Sequence, residues 1–313
     1  MRRLAFIFPG QGSQYVGMGR QLAEHYPVAA KTFSEANAAL GFDLQSLCFN
    51  GPEEGLKETA VTQPAILTAS VAALNVLLEL GARPTYVAGH SLGEYSALVA
   101  AGALKFADAV RLVRRRGELM AAAVPDGQGS MAAVLGLEAS RLAEACRAAS
   151  DAGVVEMANL NCPGQIVISG SRAAVQKAGE LARAAGAKRV VELQVSGPFH
   201  SSLMAPAAEG LSRLLAAVEL ADPRVKFVAN IEADFVETAK EVRERLIRQV
   251  VASVRWEESM RRILDAGVDA FVEVGPGKVL NGFIRKIDRD VPVFNAEDPE
   301  SCQKVLAFLK EGL

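Results

Sequence analysis

Gly89-His90-Ser91-Leu92-Gly93 sets a serine between two glycines, each two residues away. That spacing suits a nucleophile elbow where a strand runs in and a helix runs out. Thr85–Ala88 reads as the strand and Glu94–Ala101 as the helix. Ser91 would then stand at a helix N-terminus, where free backbone N–H groups can bind an oxyanion. The competing reading is a glycine-rich turn with Ser91 as a simple N-cap.

A serine nucleophile needs a base, most often histidine. The chain has three histidines, His25, His90 and His200. His90 adjoins the serine, and neighbours on an elbow point apart. His25 precedes Pro27 near the end of an early helix and reads as a surface residue. His200, in Gly197-Pro198-Phe199-His200, is the candidate base; its other reading is a neighbour of a helix N-cap.

Arg116 is the informative charge. In a helix over Phe106–Val124, Ala109, Leu112, Val113, Leu119 and Met120 form one stripe, and Arg116 falls on it by i+3 and i+4 spacing. Arg111, Arg114, Arg115 and Glu118 fall elsewhere. A buried guanidinium needs an anionic partner, since an uncompensated buried charge costs about 3–5 kcal/mol. The partner is either an internal Asp or Glu or the carboxylate of a substrate, which arginine binds bidentately.

The elements that must position these residues alternate. Leu4–Phe8 is a continuous apolar run, as in a strand covered on both faces, and it leads into the loop Pro9-Gly10-Gln11-Gly12-Ser13-Gln14. Tyr15 stands where a dinucleotide fingerprint needs its third glycine, and Met18 where a P-loop needs lysine, so phosphate binding is poorly supported. What remains is a glycine loop at a strand's C-terminal end, where open α/β sheets bind ligands and backbone amides can serve an oxyanion. Ala270–Val274 is a third strand and Pro64–Leu80 a further helix. Such alternation implies a parallel sheet with right-handed crossovers.

The middle breaks that rhythm. Pro125–Gly129 reads as a linker. Strand Ser130–Leu137, helix Glu138–Ser150, strands Val154–Asn159 and Gln165–Ser169, helix Ala173–Ala185 and strand Arg189–Val195 follow. This β-α-β-β-α-β order is the split-βαβ, ferredoxin-like unit, from which Ser196-Gly197-Pro198 returns the chain to the larger body. The expected fold is an α/β, hydrolase-like parallel-sheet body (1–125 and 197–313) with an inserted ferredoxin-like subdomain (126–196). A cleft between the two is the expected ligand site.

Composition narrows the function classes. The chain has 313 residues, half of them hydrophobic and 22% charged, with a formal charge of −2. This is ordinary globular composition without the basic excess of a nucleic-acid binder. Cys48, Cys146, Cys162 and Cys302 show no metal-ligand spacing and suit free thiols in a reducing compartment. The apolar run after Met1-Arg2-Arg3 ends too early for a signal peptide. The stretch Ser96–Val113 is broken by Lys105, Asp108 and Arg111, so no membrane span is expected.

Together these residues resemble the malonyl-CoA:acyl carrier protein transacylase family. The resemblance runs from Phe8-Pro-Gly-Gln-Gly-Ser-Gln14 through Thr62-Gln-Pro-Ala65, Gly89-His-Ser-Leu-Gly-Glu-Tyr95, Arg116-Gly117, Asn161, Pro163-Gly-Gln165 and His200 to Glu273-Val-Gly-Pro-Gly-Lys-Val-Leu280. It implies a malonyl-Ser91 ester formed from malonyl-CoA, His200 as general base and acid, and an oxyanion hole from the amides of Gln11 and Leu92. It further implies that Arg116 pairs with the malonyl carboxylate, and that the Gln249 carbonyl orients His200 in place of a triad aspartate. Gln249, Phe199 and Asn161 join Arg116 as substrate-site residues, and Leu92 and Phe199 resemble malonyl-selecting members. The phosphopantetheine thiol of acyl carrier protein completes a ping-pong transfer. No cofactor or metal is implied. The expected setting is the cytoplasm, as a monomer serving dissociated bacterial fatty acid synthesis. Ser253 departs from the proline that the family commonly has before Val254.

Two rivals stand beside this reading. A serine esterase or thioesterase of the α/β-hydrolase type would want an acidic partner between Ser91 and His200, with Asp108, Asp126 or Asp151 available. A non-catalytic binding module would keep the fold without chemistry.

Overall fold

A computed structural model describes residues 2–195 and 197–311; Ser196, the first residue of the expected return to the body, lies outside them. Among the described residues, ten strands form two sheets. The larger has the order β10-β9-β1-β2-β7-β8, built from β1 (Leu4–Phe8), β2 (Pro84–Gly89), β7 (Lys226–Val228), β8 (Phe235–Val236), β9 (Ala270–Val274) and β10 (Val293–Ala296). Every pairing in it is parallel except β7 with β8, which is antiparallel. The fold is α/β.

The continuous apolar run of β1 serves two cores. Leu4, Phe6 and Phe8 enter a cluster with the helix Thr59–Glu79, whereas Ala5 and Ile7 pack with Trp256, Met260 and Phe271. Side chains alternate across a strand with period two, so a strand at the sheet centre must be apolar at every position. β9 divides in the same way, with Val272 on the first face and Phe271 on the second.

The second sheet holds β3 (Gly129–Leu135), β4 (Val155–Cys162), β5 (Gln165–Ser171) and β6 (Arg189–Glu192) in the order β4-β5-β3-β6, all antiparallel. The helices Ala139–Ala148 and Arg172–Ala184 cover one face and share a core with Val134, Ile166 and Ile168. The order along the chain is the expected β-α-β-β-α-β. The last strand ends at Glu192 rather than Val195. Beyond it the Leu193 amide still donates to the Met131 carbonyl (2.9 Å), and Leu193, Gln194 and Val195 border the cavity described below.

Two expectations need correction. The helix expected to start at Pro64 starts at Thr59, with Pro64 inside it. Thr62 Oγ1 donates to the Glu58 carbonyl (3.0 Å), and burial of nearly the whole first half of the helix outweighs the bond that proline removes. At 21 residues and mean hydropathy 1.6 this helix, and not the stretch Ser96–Val113, is the one among the described residues long and apolar enough to cross a membrane. In the fold, 83% of that window is buried against the rest of the protein, as expected of a core helix.

Candidate active site

The C-terminal ends of β1 and β2 lie side by side, with the His90 amide donating to the Phe8 carbonyl at 3.0 Å. This brings the loop after Phe8 next to the elbow after Gly89. The elbow is tight. A Cβ on Gly89 would sit 1.9 Å from the Gly93 carbonyl, and one on Gly93 would sit 2.1 Å from the Phe8 carbonyl oxygen, so only glycine fits at either place. Between them Ser91 takes φ 51°. His200 takes φ 59°, and these are two of the three non-glycine residues with positive φ among the described residues. Left-handed backbone costs a non-glycine residue about 1–3 kcal/mol, and here that cost falls on the two residues singled out for chemistry.

Asn230, on the turn after β7, locks the elbow. Its Oδ1 accepts from the Ser91 amide at 2.8 Å, and its Nδ2 donates to the Gly89 carbonyl at 2.7 Å. Ser91 Oγ lies 2.7 Å from His200 Nε2. On the other side of the imidazole, Nδ1 lies 2.9 Å from the Gln249 carbonyl oxygen. A carbonyl only accepts, so Nδ1 carries the hydrogen and Nε2 is free to accept from the serine. Among the described residues no aspartate joins this pair: Asp108 pairs with Arg111 and Asp151 with Lys177, both at the surface, and Asp126 is exposed. The esterase reading loses its acidic partner. Burial, followed by the nearby Arg116 charge, holds His200 down to about 3, so the imidazole is neutral at ordinary pH with Nε2 unprotonated.

Arg116 is 1% exposed. Its NH1 donates to Gln63 Oε1 (2.9 Å), and its NH2 donates to Gln249 Oε1 (2.9 Å) and Ser91 Oγ (3.2 Å). These partners are neutral, and Nε is buried without an acceptor. The carboxyl nearest to it is that of Glu94, on the far side of the Gln249 amide. Burial pushes the Glu94 carboxyl up to about 8, with hydrogen bonds from Gln249 and the Asn230 amide opposing the shift.

A cavity of about 400 Å³ opens onto Ser91, Leu92, Arg116, Phe199 and His200. Gln11 and Gly12 border it from the glycine loop, and Met131, Asn159 and Leu193 from the smaller sheet and its exit. Leu92 immediately precedes the helix Gly93–Ala100, where backbone amides are not consumed by the helix's own bonds. Gln249 does not border this cavity. It is fully buried behind Arg116 and His200 and spends its polar atoms on them, on Glu94 and on the Ser91 carbonyl. Asn161 lines an adjoining cavity and accepts, through Oδ1, a hydrogen bond from His90 Nε2 at 2.8 Å. His90 points away from Ser91 toward Trp256 and Phe283, and His25 is exposed at the end of its helix.

The family model for the acyl transferase domain matches residues 5–305. The chain belongs to the acyl transferase family. Among its relatives is the malonyl CoA-acyl carrier protein transacylase of Bacillus subtilis, 49% identical over 312 residues that span 99% of this chain and 98% of the relative. The solved transacylase of Coxiella burnetii, 42% identical, superposes with a TM-score of 0.96 over 98% of this chain and 97% of that one. A malonyl-transacylase solved with a holo type II PKS acyl carrier protein, 43% identical, gives 0.96 over 98% and 99%.

Within this acyl transferase, sequence reasoning passed over Glu94, Asn230 and Gln63. Glu94 and Gln63 stand inside motifs already quoted, but a polar residue in a motif carries no mark of its partners. Asn230 sits in a turn with no motif at all. Ser253 has a role of its own: its hydroxyl donates to the Met157 carbonyl, while the Val254 amide donates to Ala158 O (2.8 Å) and the Leu160 amide to Val254 O (2.9 Å). The segment after Gln249 is thereby stitched to β4 of the smaller sheet.

Proposed function

We propose that this acyl transferase moves a malonyl group from malonyl-CoA to the phosphopantetheine thiol of an acyl carrier protein, through an ester on Ser91. The observation that carries this reading is the buried Arg116 guanidinium, 3.2 Å from Ser91 Oγ and bonded only to neutral groups. A cation so placed calls for an anion on the acyl group that Ser91 receives. Malonyl supplies a carboxylate at that distance from its thioester carbonyl, and the curated relatives are named for malonyl transfer to acyl carrier protein.

In the first half-reaction Ser91 Oγ attacks the thioester carbonyl and gives its proton to His200 Nε2. The Gln11 and Leu92 amides take the developing oxyanion, each such donor being worth about 10²–10³ in rate. The carbon–sulfur bond breaks and the coenzyme A thiolate leaves with the proton from His200. The pairing of Arg116 with the incoming carboxylate relieves one cause of the depressed His200 basicity, so substrate itself strengthens the base. In the second half the carrier thiol gives its proton to His200 and attacks the ester, and Ser91 recovers the proton as it leaves. Phe199 and Leu92 shape the acyl pocket. The thioester enters between a body of residues 1–125 and 197–313 and an insert of residues 126–196. A cytoplasmic setting fits the four free, buried cysteines.

Intact-mass analysis after mixing with malonyl-CoA tests this. The expected result is a malonyl adduct that disappears on addition of holo acyl carrier protein and is absent from Ser91→Ala. Hydrolysis to free malonate without transfer, or an adduct that survives in Ser91→Ala, would overturn it.

A further inference from the structure

Glu94 has no place in the mechanism above, yet it is buried at 1% exposure at the start of the elbow helix. Its Oε2 accepts from Gln249 Nε2. The same amide nitrogen faces the Ser91 carbonyl (3.0 Å) and Asn230 Oδ1 (3.4 Å), while Gln249 Oε1 accepts from Arg116 NH2 (2.9 Å). A side-chain amide has a donor end and an acceptor end. Acceptors gathered on one side force the NH2 there and turn the oxygen toward the guanidinium. Of the other two acceptors, Asn230 Oδ1 also takes the Ser91 amide (2.8 Å) and the Ser91 carbonyl also takes the Glu94 amide (3.1 Å), so both are already engaged within the elbow.

We propose that Glu94 is a positioning residue for acyl selectivity: by fixing the orientation of the Gln249 amide it holds the Arg116 guanidinium against Ser91. This rests on the malonyl reading and deepens it. Glu94 touches neither Ser91 Oγ nor the cavity, so its effect passes through Gln249 and falls on substrates that use Arg116. A carboxyl kept neutral up to about pH 8 by burial acts through reach and hydrogen bonding rather than through charge. Glutamine at this position reproduces that form, whereas aspartate keeps the carboxyl group but falls short of Gln249 by one methylene.

The test is the single-turnover rate of Ser91 acylation from malonyl-CoA and from acetyl-CoA, in wild type and in Glu94→Gln, Glu94→Asp and Glu94→Met. Glu94→Gln should keep the malonyl-to-acetyl ratio within about threefold of wild type. Glu94→Asp should lower it at least about tenfold, the scale of one lost hydrogen bond to a charged network, mostly through slower malonyl loading. Glu94→Met keeps the length, removes the acceptor and should match Asp, so either variant serves if the other does not fold. Aspartate keeping the ratio while glutamine loses it would show a charge role and overturn the proposal. Parallel slowing of both acyl groups, or an unchanged ratio in Asp and Met, would overturn it too. A wild-type chain that forms no malonyl adduct sinks the malonyl reading itself, an outcome separate from these.

Discussion

Replacing Arg116 with alanine should change which acyl group Ser91 accepts. In the free protein the guanidinium is closed off from water and its two terminal nitrogens reach Gln63, Gln249 and Ser91 Oγ. A malonyl carboxylate entering the cavity leaves its hydration behind and meets that cation. Without the cation, the carboxylate is desolvated and unpaired, at a cost of about 3–5 kcal/mol. An acetyl group has no such charge and loses only the 3.2 Å contact to the serine oxygen, worth about 1 kcal/mol. The difference, about 2–4 kcal/mol, corresponds to a fall of roughly 30- to 900-fold in the malonyl-to-acetyl ratio of kcat/KM at about 1.36 kcal/mol per tenfold. Acylation by both thioesters, followed by rapid-quench mass analysis, measures it, with thermal denaturation as the check on folding. A ratio within about threefold of wild type, far below the roughly 30-fold floor set by that difference, would refute the reasoning, because it would mean that the acyl carboxylate does not meet Arg116.

Two further outcomes are expected. His200 is held down to about 3 by burial and by Arg116, so kcat/KM for acylation should stay nearly flat from pH 7 to pH 5. An ordinary histidine near 6.5 would lose roughly 25-fold over that range, and such a fall would show that the free enzyme's base is not held neutral. The sign for stability is linked: the unfolded chain protonates this histidine below about 6.5 while the folded chain resists until about 3. Its contribution is therefore complete above pH 6.5 and is lost as pH falls through that window. Asn230→Ala removes an acceptor from the Ser91 amide and a donor from the Gly89 carbonyl. At about 1–3 kcal/mol for each buried group left unpaired, urea denaturation should show a loss of about 2–6 kcal/mol together with slower acylation; a loss under about 1 kcal/mol would mean that the elbow holds its shape without Asn230.

Much of the site was legible because its signals are local. A serine between glycines after a strand, and an arginine at helical spacing on an apolar stripe, are patterns within about twenty residues. The six elements of the smaller sheet unit were legible in their order for the same reason. The short strands β7, β8 and β10 were missed, because three, two and four residues are too few for a period-two pattern to register. The early start of the helix at Thr59 was missed because Pro64 reads as a helix beginning until tertiary burial overrides it.

By itself, the sequence determined the residue types of the chemistry and the strand-turn-helix frame that exposes Ser91. It narrowed the base from three histidines to His200 and left the partner of Arg116 open. The tertiary structure alone decided that Arg116 bonds to neutral amides, that a backbone carbonyl 49 residues from His200 sets its tautomer, and that Glu94, Gln249 and Arg116 form one chain of contacts. The physical reason is that hydrogen bonds select by distance and by donor or acceptor character. Residues far apart in sequence meet these conditions only once the sheet has brought β1, β2 and β7 together and the helix Ala239–Gln249 has ended against the elbow.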